Sequence, residues 1–168
     1  MHNYIANVIP HLQQWWPVIF VLAYLAGVIL AIIAFAQSIS HKHKYTRSTA
    51  LWTFFAAVLL LNLPAFMDSL SMTVFNSSSE KALSYSPPVH PGSIYIQFAV
   101  YVIMIVGLIG IARGLTMLRD TPSKPSNFSR GMIHLFGGII AVNLVTFLRG
   151  IGATVGGDVQ SYITTILG

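Results

Sequence analysis

Four long apolar blocks, joined by connectors whose positive charge alternates, constrain this chain more than any other feature. Residues 17–36, 50–66, 95–112 and 132–148 are each almost uninterrupted in apolar character. Each approaches the length of about 20 residues that carries a helix across a bilayer core. Of the 9 Lys and Arg residues, Lys42, Lys44 and Arg47 lie between the first two blocks, and Arg113, Arg119, Lys124 and Arg130 edge the connector between the last two. The first 16 residues hold none, and residues 67–94 hold only Lys81. Basic connectors stay on the cytoplasmic side. The expected fold is therefore all-α: one polytopic membrane domain over 1–168, with four transmembrane helices arranged as two hairpins. Residues 67–94 form an external loop, short amphipathic segments flank both ends, and both termini lie outside the cytoplasm.

Composition closes off other classes. Only 8% of the residues are charged, against about 25% in a soluble domain. The four blocks and their connectors account for nearly all of the 168 residues, so no separate soluble domain is expected. The net charge of +5 belongs to membrane ends, where Lys and Arg meet anionic headgroups. No soluble segment interleaves basic with aromatic residues, and no direct nucleic-acid recognition is expected. The chain has no cysteine, which removes thiolate chemistry and cysteine-ligated clusters. The first block is expected to be a retained anchor, because its charges follow the apolar core instead of preceding it.

Ile5, Val8, Ile9 and Leu12 recur at helical spacing, which predicts a short interfacial helix over 3–14 with a bend at Pro10. Trp15 and Trp16 mark the outer headgroup level, and Pro17 suits a first helical turn. Pro64 predicts a kink near the outer end of the second block. Pro87, Pro88 and Pro91 predict an extended loop over 76–93. Gly156 and Gly157 predict a helix break, with Asp158 capping a last amphipathic turn or two. The two hairpins do not align residue by residue in this reading, which treats them as no repeat.

Small residues are the densest signal. Gly27 sits between Ala23 and Ala31. Gly107, Gly110 and Gly114 fall on the third block, and Gly137 and Gly138 on the fourth. Such residues let helix backbones approach closely, so a tight hairpin of blocks three and four is expected. Asn62, Asn143, His134 and Arg149 are the candidate polar contacts within or at the edge of the spans, either between helices or between subunits. Arg149 is the sharpest anomaly, a cation at the outer end of the last span: its stem can snorkel to the outer headgroups, pair with Asp68 or Asp158 on the same side, meet another subunit or line a channel. No acid falls near the middle of a block, which argues against proton-coupled antiport. Only His134 lies inside a block, so neither haem nor metal ligation is expected. The His41–Lys42–His43 run reads as a solvated turn. No HExxH, GxSxG or P-loop pattern occurs. No catalytic residues and no cofactor are expected.

The stretch Gly107–Gly152, reading GLIGIARGLTMLRD, a polar turn, then GMIHLFGGIIAVNLVTFLRGIG, resembles the IcmC/DotE-type small membrane proteins of type IVB secretion systems and their relatives in IncI-type conjugation machines. It also looks like a VirB-type pilin hairpin, in which two spans flank a short basic turn. The resemblance implies a non-enzymatic subunit in the bacterial inner membrane with periplasmic termini. Its partners would be lipids, further copies of itself and other apparatus components. The alternative is a small independent oligomeric transporter or channel.

Overall fold

The computed structural model describes residues 2–39, 47–78, 82–86 and 93–167. The expectations placed on His41, Lys42, His43, Lys44, Lys81, Pro87, Pro88 and Pro91 lie outside the described residues. The regular structure among the described residues is helical, with seven helices: α1 (His2–Ile39), α2 (Arg47–Leu61), α3 (Leu63–Phe75), α4 (Ser93–Arg119), α5 (Ser126–Val142), α6 (Leu144–Val155) and α7 (Gly157–Leu167).

Two of these, α1 from Asn7 and α4, are long and apolar enough to cross a membrane alone. At about 1.5 Å per residue, α4 reaches roughly 40 Å and α1 roughly 57 Å. The expected interfacial helix over 3–14 does not exist as a separate element, since α1 runs through Pro10 and Pro17 without a break. Each proline removes one backbone hydrogen bond, but Ile9 and Trp16 bury against the core and hold the chain in one continuous helix.

The other two blocks are bent pairs. α2 and α3 meet at 86°, and α5 and α6 at 83°. Upright, α2 measures about 22 Å and α5 about 25 Å, short of a hydrocarbon core of about 30 Å. The blocks 50–66 and 132–148 therefore do not continue as straight spans to their ends. The first bend falls at Asn62, two residues before Pro64, whose ring disfavours a straight continuation. The second falls at Asn143, which no proline follows.

The two breaks expose a duplication. Asn62 has φ −111° and ψ 32°, and Asn143 has φ −99° and ψ 28°. Each side-chain amide donates back to the carbonyl four residues earlier, Val58 and Ile139. One constant offset carries Asn62-Leu63-x-x-Phe66 onto Asn143-Leu144-x-x-Phe147, and Ser48, Phe55, Thr73 and Val74 onto Ser129, Phe136, Thr154 and Val155. It also carries the bond from the Thr53 hydroxyl to the Thr49 carbonyl (2.7 Å) onto the contact of His134 Nδ1 with the Arg130 carbonyl (2.8 Å). The hairpins share one design, whereas the sequence reading treated them as no repeat.

Each hairpin closes on small residues. A Cβ added at Gly27 would lie 2.9 Å from the Leu61 nitrogen and 3.1 Å from the Ala57 carbonyl oxygen. One added at Gly107 would lie 2.8 Å from the Gly138 carbonyl oxygen and 3.1 Å from the Val142 nitrogen. Gly114 and Gly131 oppose each other one level inward, and Gly131 was missed in the sequence. α4 also packs on α1 and α2, joining the hairpins into one bundle. Gly156 and Gly157, with φ of +71° and +58°, turn the chain from α6 into α7, which folds back against α6. The expected last turn or two is a helix of 11 residues.

Gly138→Ala should destabilise the protein by about 1–3 kcal/mol, because its Cβ would lie 2.5 Å from the Gly107 carbonyl oxygen. Gly137→Ala should change the unfolding midpoint in detergent little, since nothing stands within 4 Å of that Cβ. Equal losses from both would refute the seam as drawn.

Candidate functional site

One group of polar side chains gathers at the end of the bundle where the bent half-helices lie, while Thr53 and Gln37 bond to each other (3.2 Å) near the α1–α2 connection. Tyr101, near the start of α4, is fully buried. Its hydroxyl donates to the Tyr85 carbonyl (2.7 Å) and accepts from Gln13 Nε2 of α1 (2.6 Å). The Trp16 ring lies against it, with centroids 6.0 Å apart. Tyr85, in the segment between α3 and α4, donates its own hydroxyl to the Leu167 carbonyl at the end of α7 (3.3 Å). Arg149, on α6, donates Nη2 to the same carbonyl (2.9 Å). Five stretches of chain are thus joined through two tyrosines and two backbone oxygens. Sequence reading singled out Arg149 here but missed Gln13, Tyr85 and Tyr101. Nothing in their spacing connects them before the bends bring α6 and α7 across the bundle end.

Arg149 does not stand at the end of a straight span. The break at Asn143 places it on the turned half-helix, where it holds a carbonyl oxygen. An ion pair joins the sequence neighbours Arg119 and Asp120 (3.7 Å), at the far end of α4 from Tyr101. Burial raises the Tyr85 hydroxyl above its ordinary pKa of about 10, while Arg149 pulls it down and Tyr101 adds to the rise.

Asn143 is buried and joins the hairpins: its Nδ2 donates to Ser71 Oγ of α3 (2.8 Å), and nearby Phe147 meets Phe75 edge to face at 6.4 Å. Its Oδ1 and the Trp16 Nε1 are buried without a hydrogen-bond partner. Asn62, its counterpart, is exposed. His134 faces an open groove between α4 and α5 and does not meet the other candidates. Gly27, Gly107, Gly114 and Gly138 lie in tight helix contacts. Gly110 is in ordinary contact, 3.5 Å from the His134 carbonyl oxygen, and Gly137 faces outward, outside the seam.

Among the described residues no three metal-ligating side chains come together. The buried polar groups, Gln37, Thr53, Ser71 and Asn143, are all neutral. They suit hydrogen bonding between helices. The arrangement at the bundle end is a clasp that fixes helix positions. The chain matches no family model, no curated protein and no solved structure.

Tyr85→Phe should cost about 0.5–1.5 kcal/mol near pH 8. The raised pKa makes this tyrosine's contribution full below about pH 10 and lost as pH rises through the folded value. The gap between variant and unmodified protein should therefore narrow in alkaline unfolding series. A constant gap across pH 8–12 would exclude the buried hydroxyl as its source.

Proposed function

We propose that this chain is a non-enzymatic subunit of a type IVB-like secretion or conjugation apparatus, held in the bacterial inner membrane in several copies. The observation that carries the reading is the clasp. It ties the outer part of α1, the Tyr85 segment and the α6–α7 pair into one layer at a single end of the bundle. A layer fixed in this way suits permanent contacts with neighbouring proteins more than the opening and closing of a gate. The resemblance of Gly107–Gly152 to the IcmC/DotE-type proteins points the same way.

In this reading each bent pair counts as one pass, giving four passes in all. Arg113, Arg119, Lys124 and Arg130 gather around the α4–α5 turn. By the positive-inside bias they support a cytoplasmic turn, with the clasp and both termini in the periplasm. Single cysteines at Ser78 and Ser126 should label from opposite sides of the membrane. Labelling of both from outside intact cells would overturn this topology.

A second reading, an independent oligomeric transporter or channel, draws on the paired breaks at Asn62 and Asn143. Discontinuous helices at matching places in two repeats are a recurring feature of transport sites. Purification in mild detergent separates the two. An apparatus subunit should run as an assembly larger than a dimer and bring other envelope proteins with it. Arg149→Ala, which leaves the Leu167 carbonyl to the Tyr85 hydroxyl alone, should lower the yield of that assembly and substrate transfer in cells, while Lys42→Ala should leave both near normal. A monodisperse dimer that moves a solute in liposomes would favour the transporter.

A further inference from the structure

The two hairpins share one design but are not equally covered. In register, Gly27 of α1 falls on Gly107 of α4, and Ala57 of α2 falls on Gly138 of α5, as their matching backbone contacts require. Ala56, 0% exposed, then corresponds to Gly137, which is exposed with nothing near its Cβ. Leu60, 1% exposed, corresponds to Ala141, which is only partly covered. What covers this face on the first hairpin is α4, which packs on both α1 and α2, with Ala112 and Leu60 lining one groove. The same face on the second hairpin is an open groove floored by Gly107, Gly110, Gly137 and Gly138.

The first helices show the opposite mismatch. Leu115 of α4 is 0% exposed, whereas its counterpart Phe35 of α1 is 70% exposed. Met104 is likewise fully buried, and its counterpart Tyr24 is 54% exposed. The chain therefore carries both halves of its own internal joint a second time, unfilled: a socket on α4–α5 and a plug on α1.

We propose that a second copy of this chain fills the socket, with its α1 lying against the α4–α5 groove as α4 lies against α1 and α2 within one chain. The occupant follows from continuity with the internal joint, which already shows what this face accepts, namely the first helix of a further hairpin. Small residues in the socket meet large ones, Ile32 and Phe35, on the plug, which suits the close van der Waals packing that drives helix association in lipid. Plug and socket are different surfaces, so the contact is head-to-tail. It propagates into a ring if the rotation between copies closes, and into a filament if it does not. This deepens the oligomeric part of the proposed function, but its test needs no apparatus protein.

Ala112 and Leu60 line one groove, so their counterparts Ile32 and Ala141 should meet between copies. The chain lacks native thiols, so introduced cysteines are the only ones. The double variant Ile32→Cys, Ala141→Cys, oxidised in native membranes, should give a ladder of dimer, trimer and larger species. Each single variant alone should stay monomeric on the same gel. Adding Gly137→Leu should abolish the ladder while leaving the protein level and unfolding midpoint near those of the double variant, since that position is open within the chain. Dimers from Ala141→Cys alone would mean a symmetric contact and overturn the head-to-tail joint. Absence of any ladder in a well-expressed double variant would overturn the proposal. If a large complex with other envelope proteins persisted without the ladder, the interface would fall while the apparatus reading stood.

Discussion

Backbone proximity is the constraint from which the rest of this structure follows. Lipid tails are as apolar as leucine, so little hydrophobic force draws two helices together inside a membrane, and contact distance has to do the work. Gly138 would bring a Cβ within 2.5 Å of the Gly107 carbonyl oxygen, and Gly114 and Gly131 are nearly as tight. Those approaches fix α4 against α5, and the Gly27 contact with Leu61 and Ala57 fixes α1 against α2 in the same register. Once each hairpin is closed at that depth, the second helix of each ends about 22–25 Å above its start. The chain must then turn before a straight crossing of about 30 Å is complete. The bends at Asn62 and Asn143 sit where the close contacts leave them.

Turning a helix in an apolar setting exposes backbone groups that have no water to satisfy them. Both repeats answer with the same residue. The Asn62 and Asn143 amides return to carbonyls of the preceding turn, and Phe66 and Phe147 restart the helical ladder by donating to the Asn62 and Asn143 carbonyls. Beyond that the repeats diverge. Asn143 also reaches Ser71 of the other hairpin, whereas Asn62 stays exposed. The clasp is likewise built once, from Gln13, Tyr85, Tyr101 and Arg149. Duplication supplied the frame, and differences between the copies made one end of it polar and fastened.

Class and packing were legible in the sequence because both depend on local composition. Apolar blocks set the membrane setting, and the glycines at 107, 114 and 138 marked the α4–α5 seam before any contact was known. Gly137 was drawn into that seam by adjacency alone, although the helical turn carries it about 100° away from Gly138. The right-angled bends were not legible. Pro64 announced a disturbance, but the second bend has Val145 in the equivalent place, so a proline rule could find only one of the two. The repeat stayed hidden for a related reason. Apolar residues exchange freely on lipid-facing surfaces, and the registers of the first and second helices of each hairpin differ by one residue. The pattern Asn-Leu-x-x-Phe, present twice, was the signal that survived. Gln13, Tyr85 and Tyr101 could not have been joined in advance, since their bonds exist only after both bends have formed.

The duplication also limits what a joint between copies can contain. Within the chain, the second hairpin meets the first through helix packing and through an outer-layer contact, Asn143 with Ser71 and Phe147 with Phe75. Carried to a neighbouring copy, Asn62 and Phe66 would take the places of Asn143 and Phe147. Their partners would be the counterparts of Ser71 and Phe75, which are Gly152 and Gly156. Glycine offers neither a hydroxyl nor a ring, so the outer-layer contact does not repeat. A joint between copies would rest on helix-in-groove packing alone, without the buried hydrogen bond that supports the internal one. It should therefore be weaker than the internal joint and separate first as detergent replaces lipid. The hairpins of one chain would stay together while copies part, because only the internal joint has both layers.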